Sequence, residues 1–229
     1  MVLLGGFLVF GAGIHRTDAQ PTPAEVAKAK KALGEVQDFI GLWNLEGLQK
    51  VNDKNVAWKE SVAWGWKFKG DEAWITVKFA DGKGKYYTNG DLKYIVDKKK
   101  YQLTLNTPDK HEEVYVGDLK NGTLKVERAD PKTGDVTRLT LNTLAEGVRF
   151  QIKVEKQDGG KGPFANAYEM KGNKDGESIA GTVKKPECIV TGGAASIKVS
   201  YMGKEYFVCC SGCADAFKDN PEKFINKKK

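Results

Sequence analysis

The 229-residue sequence predicts a mainly β protein, an antiparallel barrel or β-sandwich, followed by a small α+β module made of one β-hairpin and short helices. Three observations lead there. Apolar and polar residues alternate through most of the middle of the chain, turn-forming residues interrupt that alternation at fairly regular intervals, and all four cysteines lie between positions 188 and 213. The length is sufficient for two domains, each with its own core. With 40% hydrophobic and 29% charged residues, the composition is that of a folded soluble protein.

Met1 to Ile14 is an uncharged apolar run. At about 14 residues it is too short to span a bilayer comfortably and suits the apolar region of a secretory signal. Residues 1–19 are therefore read as a signal peptide, with Thr17-Asp18-Ala19 before the cleavage point, although the usual positive charge at the start is missing. Export to a periplasmic or secreted location follows, with no stable membrane span after cleavage. Residues 20–37 form a helical tether, because Thr22 and Glu25 make a capping box and a proline stands at the first helical position. Its apolar residues Val26, Leu33 and Val36 are too sparse to predict a large buried face.

Residues 38–183 carry the strand signal. Val62, Trp64, Trp66 and Phe68 alternate with polar or small residues, as do Ile75, Val77 and Phe79, then Leu92, Tyr94 and Val96, then Tyr101, Leu103 and Leu105, and finally Val148, Phe150, Ile152 and Val154. Half-buried antiparallel strands have this pattern. Turns are predicted at Asp81-Gly82, Asn89-Gly90, Asn121-Gly122, Pro131 to Gly134 and Asp158-Gly159-Gly160. Nine or ten strands in hairpin succession, with no long helical insert, suggest a closed barrel or a two-layer sandwich.

Gly41-Leu42-Trp43, after a short helix and at the head of the first strand, resembles the opening of lipocalin-like domains. That resemblance implies a Trp closing the barrel floor beneath a basic residue from a late strand, for which Arg149 is the candidate. It rests on two fixed residues and names no ligand. The aromatic residues Trp58, Trp64, Trp66, Trp74, Tyr86 and Tyr87 fit either a ligand cavity or an ordinary core.

The segment 184–229 differs in kind. Cys188 is separated by twenty residues from Cys209, which is separated by three from Cys213, and Cys210 is the additional member. Ser196 to Tyr201 and Glu205 to Val208 alternate around Met202-Gly203-Lys204, predicting a hairpin that delivers Cys209 at a strand end. Ser211 is expected to cap a short helix with Cys213 in its first turn, and Asn220-Pro221 to open a second. At such a strand-to-helix corner, free backbone N–H groups and the helix dipole favour thiolate over thiol, and thiolates are metal ligands. Cys188 can fold back to complete a three-sulfur site. So small a core needs a staple, and either a metal or a disulfide would serve.

The segment from about Pro186 to Ile225 resembles the YHS or TRASH domain, a heavy-metal-binding module. The match rests on Cys188 with Val190-Thr191-Gly192, on Tyr201 to Phe207, on Cys209-Cys210-Ser211-Gly212-Cys213, and on Phe217 with Asn220 to Phe224. The resemblance implies that Cys188, Cys209 and Cys213 are ligands. It implies less for Cys210, which remains a candidate fourth ligand, a buried residue or a redox partner, because neighbouring strand residues point to opposite faces. Ile189 departs from the Pro common in related sequences, a change that affects loop stiffness more than ligation.

Neither His15 nor His111 is near in sequence, so a non-sulfur fourth ligand would be Glu205, Asp215 or water. Copper(I) accepts three thiolates and structural zinc(II) prefers four ligands, which leaves both metals open. Disulfides and thiol redox chemistry are the rivals in an exported protein.

The net charge of +7 is spread over the chain with no basic face, so nucleic acid is not an expected partner. No catalytic constellation is present, and no enzyme is expected. The sequence thus reads as an exported metal-binding protein holding Cu(I) or Zn(II), with a metal-handling protein as a possible partner. The alternative is a lipocalin-like binder of a small apolar ligand with a stapled appendage.

Overall fold

A computed structural model of the protein describes residues 21–145, 147–177 and 186–226. The expected signal peptide and the expected boundary at 183/184 lie outside these residues.

Ten antiparallel strands close into one barrel: β1 (Gly41–Val51), β2 (Lys54–Lys69), β3 (Glu72–Phe79), β4 (Asn89–Ile95), β5 (Lys100–Asn106), β6 (Glu112–Lys120), β7 (Thr123–Ala129), β8 (Val136–Leu144), β9 (Arg149–Gln157) and β10 (Ala165–Lys174). Each strand pairs with its sequence neighbour, and β10 returns to β1 with Trp43 opposite Lys174 and Leu48 opposite Glu169. Closure leaves no unpaired outer strand of the kind that invites aggregation. The barrel expectation holds and the sandwich does not.

The sequence alternation defines the two faces. Val62, Trp64 and Trp66 of β2, Ile75 and Val77 of β3, Leu103 and Leu105 of β5, and Phe150, Ile152 and Val154 of β9 are all buried inside. Trp64, Trp66 and Tyr87 are core residues, while Trp58 and Tyr86 pack partly buried against that core.

Tight turns join the strands where two successive residues accept positive φ, as at Asn121 (50°) and Gly122 (73°). The same geometry at Asn52 (47°) and Asp53 (61°) joins β1 to β2. Asn89-Gly90, expected as a turn, instead begins β4. Gly90 is required there because a side chain would overlap the Thr104 carbonyl and Leu105 on β5.

One end of the barrel is sealed by aromatic packing and by helix α1 (Pro23–Gly34). The Trp43 ring stacks on Phe150 with centroids 5.0 Å apart, and its indole N–H donates to the Phe39 carbonyl at 2.8 Å. The cation above Trp43 is not Arg149, which is exposed, but Lys174, whose Nζ lies 5.1 Å from the ring centroid. Lys174 lies opposite Trp43 across the ladder, whereas Arg149 points away from the interior, as the β9 alternation requires.

The expected capping box of α1 is present, with Glu25 accepting from the Thr22 backbone at 2.8 Å and Thr22 Oγ1 accepting from the Glu25 backbone at 3.3 Å. The helix is more than a tether. Leu33 is fully buried and the Tyr101 hydroxyl donates to the Ala32 carbonyl at 2.8 Å, so even a sparse apolar face fixes it to the barrel.

Beyond the barrel, β11 (Ile197–Tyr201) and β12 (Lys204–Val208) form a hairpin, followed by α2 (Ser211–Asp219) and α3 (Pro221–Ile225). Met202 (48°) and Gly203 (72°) make its turn. Phe217 and Phe224 are buried beneath the hairpin, with Tyr206 tilted against Phe217 at 5.2 Å. Among the described residues, no helix is long and apolar enough to cross a membrane.

Candidate metal centre

The C-terminal module brings three cysteines to one point by two separate routes. The first is a tight loop ahead of the hairpin. The Cys188 N–H donates to the Gly193 carbonyl at 2.7 Å, and the Gly192 N–H returns to the Cys188 carbonyl at 2.8 Å. Gly192, at φ 81°, has the conformation a side chain would strain. The Ile189 N–H ties this loop to β12 through the Phe207 carbonyl at 3.0 Å. Proline at that position would lack the donor, which gives the departure at Ile189 a structural reason.

The second route is the corner from β12 into α2. The chain reaches Cys209 just past the strand end, and Cys213 occupies the first turn of the helix. The residue flanking α2 at its start is Cys210, with φ −158° and ψ 171°, not Ser211 as expected, and no side chain caps the helix. Asn220 does cap α3 as expected, its Oδ1 accepting from the Lys223 N–H at 3.2 Å.

The sulfurs of Cys188, Cys209 and Cys213 all lie within 4.8 Å of one another. The Cys209 and Cys213 sulfurs are 3.5 Å apart. All four cysteines are free thiols and buried, from 0% exposure at Cys213 to 8% at Cys210. Thr191 Oγ1 sits 3.6 Å from the Cys209 sulfur.

Cys210 lies at the margin of the group, hydrogen-bonded to the Cys209 and Cys213 sulfurs but outside the set they form with Cys188. Its sulfur is 4.0 Å from that of Cys209, outside the three-sulfur group, and accepts the backbone N–H of Trp66 on β2 at 3.3 Å. No carboxylate or imidazole joins the sulfurs among the described residues. Glu205 is engaged by Lys198 at 2.9 Å on the hairpin surface, and His111 lies beside Asp109 on a barrel loop. Asp215 is likewise absent from the cluster.

The crowding of thiols divides their acidity. S–H groups of Cys209 and then Cys213 directed at Cys188 hold its thiol far below the ordinary value. The same two donors, helped by the Trp66 N–H, lower Cys210 to about 3. Cys209 is pushed up chiefly by its bond to Cys188, and Cys213 by its bonds to Cys188, Cys209 and Cys210 and by burial. Metal ligation requires the thiolate form, so a thiophilic cation taken up here would displace thiol protons.

The module's loop, hairpin, cysteine corner and second helix follow the order of the resemblance read from the sequence. The family model of the YHS domain matches residues 187–228. That segment is similar to YHS domains, and the match does not extend to the barrel. No curated protein matches the chain. A YHS domain with three close cysteines suits a metal ion as its cofactor.

Trp66 and Gln37 also touch the centre, and neither could be found from cysteine spacing. The Trp66 indole N–H donates to Gln37 Oε1 at 2.9 Å, and the Gln37 side chain underlies Gly193 in the Cys188 loop. The glycines at 193 and 212, which leave room for barrel atoms, were the signal available in the sequence.

Proposed function

We propose that the protein is an exported metal-binding protein that holds one copper(I) ion through the thiolates of Cys188, Cys209 and Cys213. The observation that carries this reading is the buried group of three sulfurs within 4.8 Å, with no nitrogen or oxygen ligand beside it among the described residues. Three thiolates satisfy copper(I), whereas a closed structural zinc site wants a fourth ligand. The three sulfurs come from a loop, a strand end and a helix turn, and α2 directs the positive end of its dipole toward the sulfur charge.

Burial encloses the ion, so exchange with solvent requires the YHS module to open. This favours holding and handing over a metal, to a metal-handling protein, over rapid sensing. The apolar run from Met1 to Ile14 supports export, and a role as a binding protein rather than an enzyme agrees with the absence of a catalytic constellation in the sequence.

A barrel that takes up a small apolar ligand has less support. Its inward positions carry large buried side chains, and its open end is a polar cavity of about 340 Å³. There the Tyr87 and Tyr115 hydroxyls lie 2.8 Å apart, and Glu113 accepts from Tyr115 at 2.5 Å.

The test is metal analysis of protein expressed and purified without oxygen, for the wild type and for Cys188→Ser and Cys213→Ser. One copper per wild-type chain, lost in both variants and not displaced by excess zinc, is expected. Two stable disulfides in fresh wild-type protein would sink the reading.

A further inference from the structure

β2 is longer than the strand beside it. β1 begins at Gly41, opposite Trp64, so residues 65–69 of β2 pair with β3 on one side and have no β1 partner on the other. The direction of the backbone there is fixed by Gly65, whose carbonyl accepts from Thr76 Oγ1 on β3 at 3.2 Å. Successive residues of a strand turn their N–H and C=O to opposite sides, so Trp66 presents both groups away from β3. An edge of this kind is ordinarily a liability.

The metal module covers it. The Trp66 N–H donates to the Cys210 sulfur at 3.3 Å, and Gly212 lies so close over the Trp66 carbonyl that any side chain at 212 would overlap it. The Trp66 indole holds Gln37, and Gln37 lies so close beneath Gly193 that a side chain there would overlap it as well. Both arms of the sulfur site therefore rest on one hydrogen-bonded pair, Trp66 of β2 and Gln37 of the helical turn before β1. The Cys188 loop sits on Gln37 through Gly193, and the Cys209–Cys213 corner sits on Trp66 through Cys210 and Gly212. An ion pair from Lys223 to Asp71 in the β2–β3 turn, at 3.9 Å and exposed, adds little.

We propose that the β2 edge at Trp66, with Gln37, is part of the metal centre, that Cys210 is a positioning residue which docks the sulfur corner on the barrel and is not a ligand, and that metal occupancy and docking are linked. The inference rests on the metal-binding function proposed above. Docking aligns the two arms before the ion arrives, and an ion bridging the two arms holds both against the barrel. Linkage of this kind is reciprocal: whatever metal does to docking, docking does to metal affinity.

The experiment uses the full chain, kept reduced and loaded with copper(I), in the wild type and in Cys210→Ala and Gly212→Ala. Three quantities are measured: copper per chain, the rate of copper transfer to a chromophoric copper(I) chelator, and hydrogen exchange at the Trp66 amide. Both variants are expected to keep one copper per chain and the barrel's circular dichroism, while releasing copper faster by roughly 5–150-fold, the range of ordinary coupling free energies. In the wild type, with no mutation at all, stripping copper should speed exchange of the Trp66 amide by a similar factor and leave amides in the β5–β8 wall unchanged.

Loss of stoichiometric copper in Cys210→Ala would make Cys210 a ligand and overturn the proposal. So would a loaded wild type whose Trp66 amide ignores the metal. A wild-type chain that takes up no copper overturns the proposed function and this linkage together, which separates that outcome from failure of the linkage alone.

Discussion

The barrel and the YHS module bury their apolar residues by different means. In the barrel, inward side chains from all ten strands meet in one closed interior, and every strand has a hydrogen-bonded neighbour on each side. The module has a five-residue hairpin pair and two short helices, and the cysteines themselves make up much of what it buries, with Val208, Phe217 and Phe224. The barrel thus closes on an apolar interior of its own, whereas the module places four buried cysteines at its centre. Under the proposed function two supports make up the difference: a cation held by the three sulfurs, and the β2 edge, where the Trp66 N–H donates to the Cys210 sulfur.

This contrast can be broken most forcefully at the barrel floor. Trp43→Ala removes a fully buried indole, its stacking on Phe150 and its bond to Phe39. It should cost about 3–5 kcal/mol in urea unfolding followed by circular dichroism. The loss should be the same in copper-loaded and stripped protein, and a loss that depended on copper would erase the distinction between the two regions.

Metal removal should act on the other side of the contrast. With free copper a thousandfold above its Kd, stripping should lower the exchange free energy of amides in β11, β12 and α2 by about 4 kcal/mol. Barrel strands far from β2 should keep their protection. Cys188→Ser should reproduce the stripped pattern without a chelator.

Smaller effects sharpen the picture of the barrel. Lys174→Met should cost about 0.5–1 kcal/mol by removing the cation over Trp43, and Arg149→Met should cost less than that. Glu60, 7% exposed, has its carboxyl pushed upward by burial, against the opposing bonds from the Lys85 and Trp58 N–H groups. A carboxyl with a raised folded pKa binds its proton more tightly in the folded state. Its contribution is therefore complete below the unfolded value of 4.5 and is lost as pH rises through the folded value. Glu60→Gln should consequently raise Tm at pH 7 and change it less near pH 4, as read in thermal melts at the two pH values.

Most of the barrel was legible because its cause is periodic. The alternation at Val62, Trp64 and Trp66, or at Phe150, Ile152 and Val154, follows from a pleated strand with one wet face, and the structure keeps it. What was misread depends on closure. Asn89-Gly90 has turn composition but serves a strand, because Gly90 admits the neighbouring backbone of β5. Arg149 has the right charge to cover Trp43 but the wrong parity, and only the pairing of β1 with β10 reveals Lys174.

In the metal module, cysteine spacing marked out the residues that the structure brings together. The place of Cys210 was not legible, since it is determined by a hydrogen bond to Trp66, 144 residues away in sequence. Gln37 was hidden for the same reason, being a helix-end residue whose partners are a strand indole and a distant loop.

The central claim is a three-sulfur metal centre built by Cys188, Cys209 and Cys213. X-ray absorption at the metal edge of the anaerobically loaded full-length protein counts the sulfur neighbours of the ion directly. Three sulfurs with no nitrogen or oxygen neighbour are predicted, in the wild type and equally in Cys210→Ala. Four sulfurs in the wild type falling to three in Cys210→Ala, or a shell of nitrogen and oxygen alone, would contradict it.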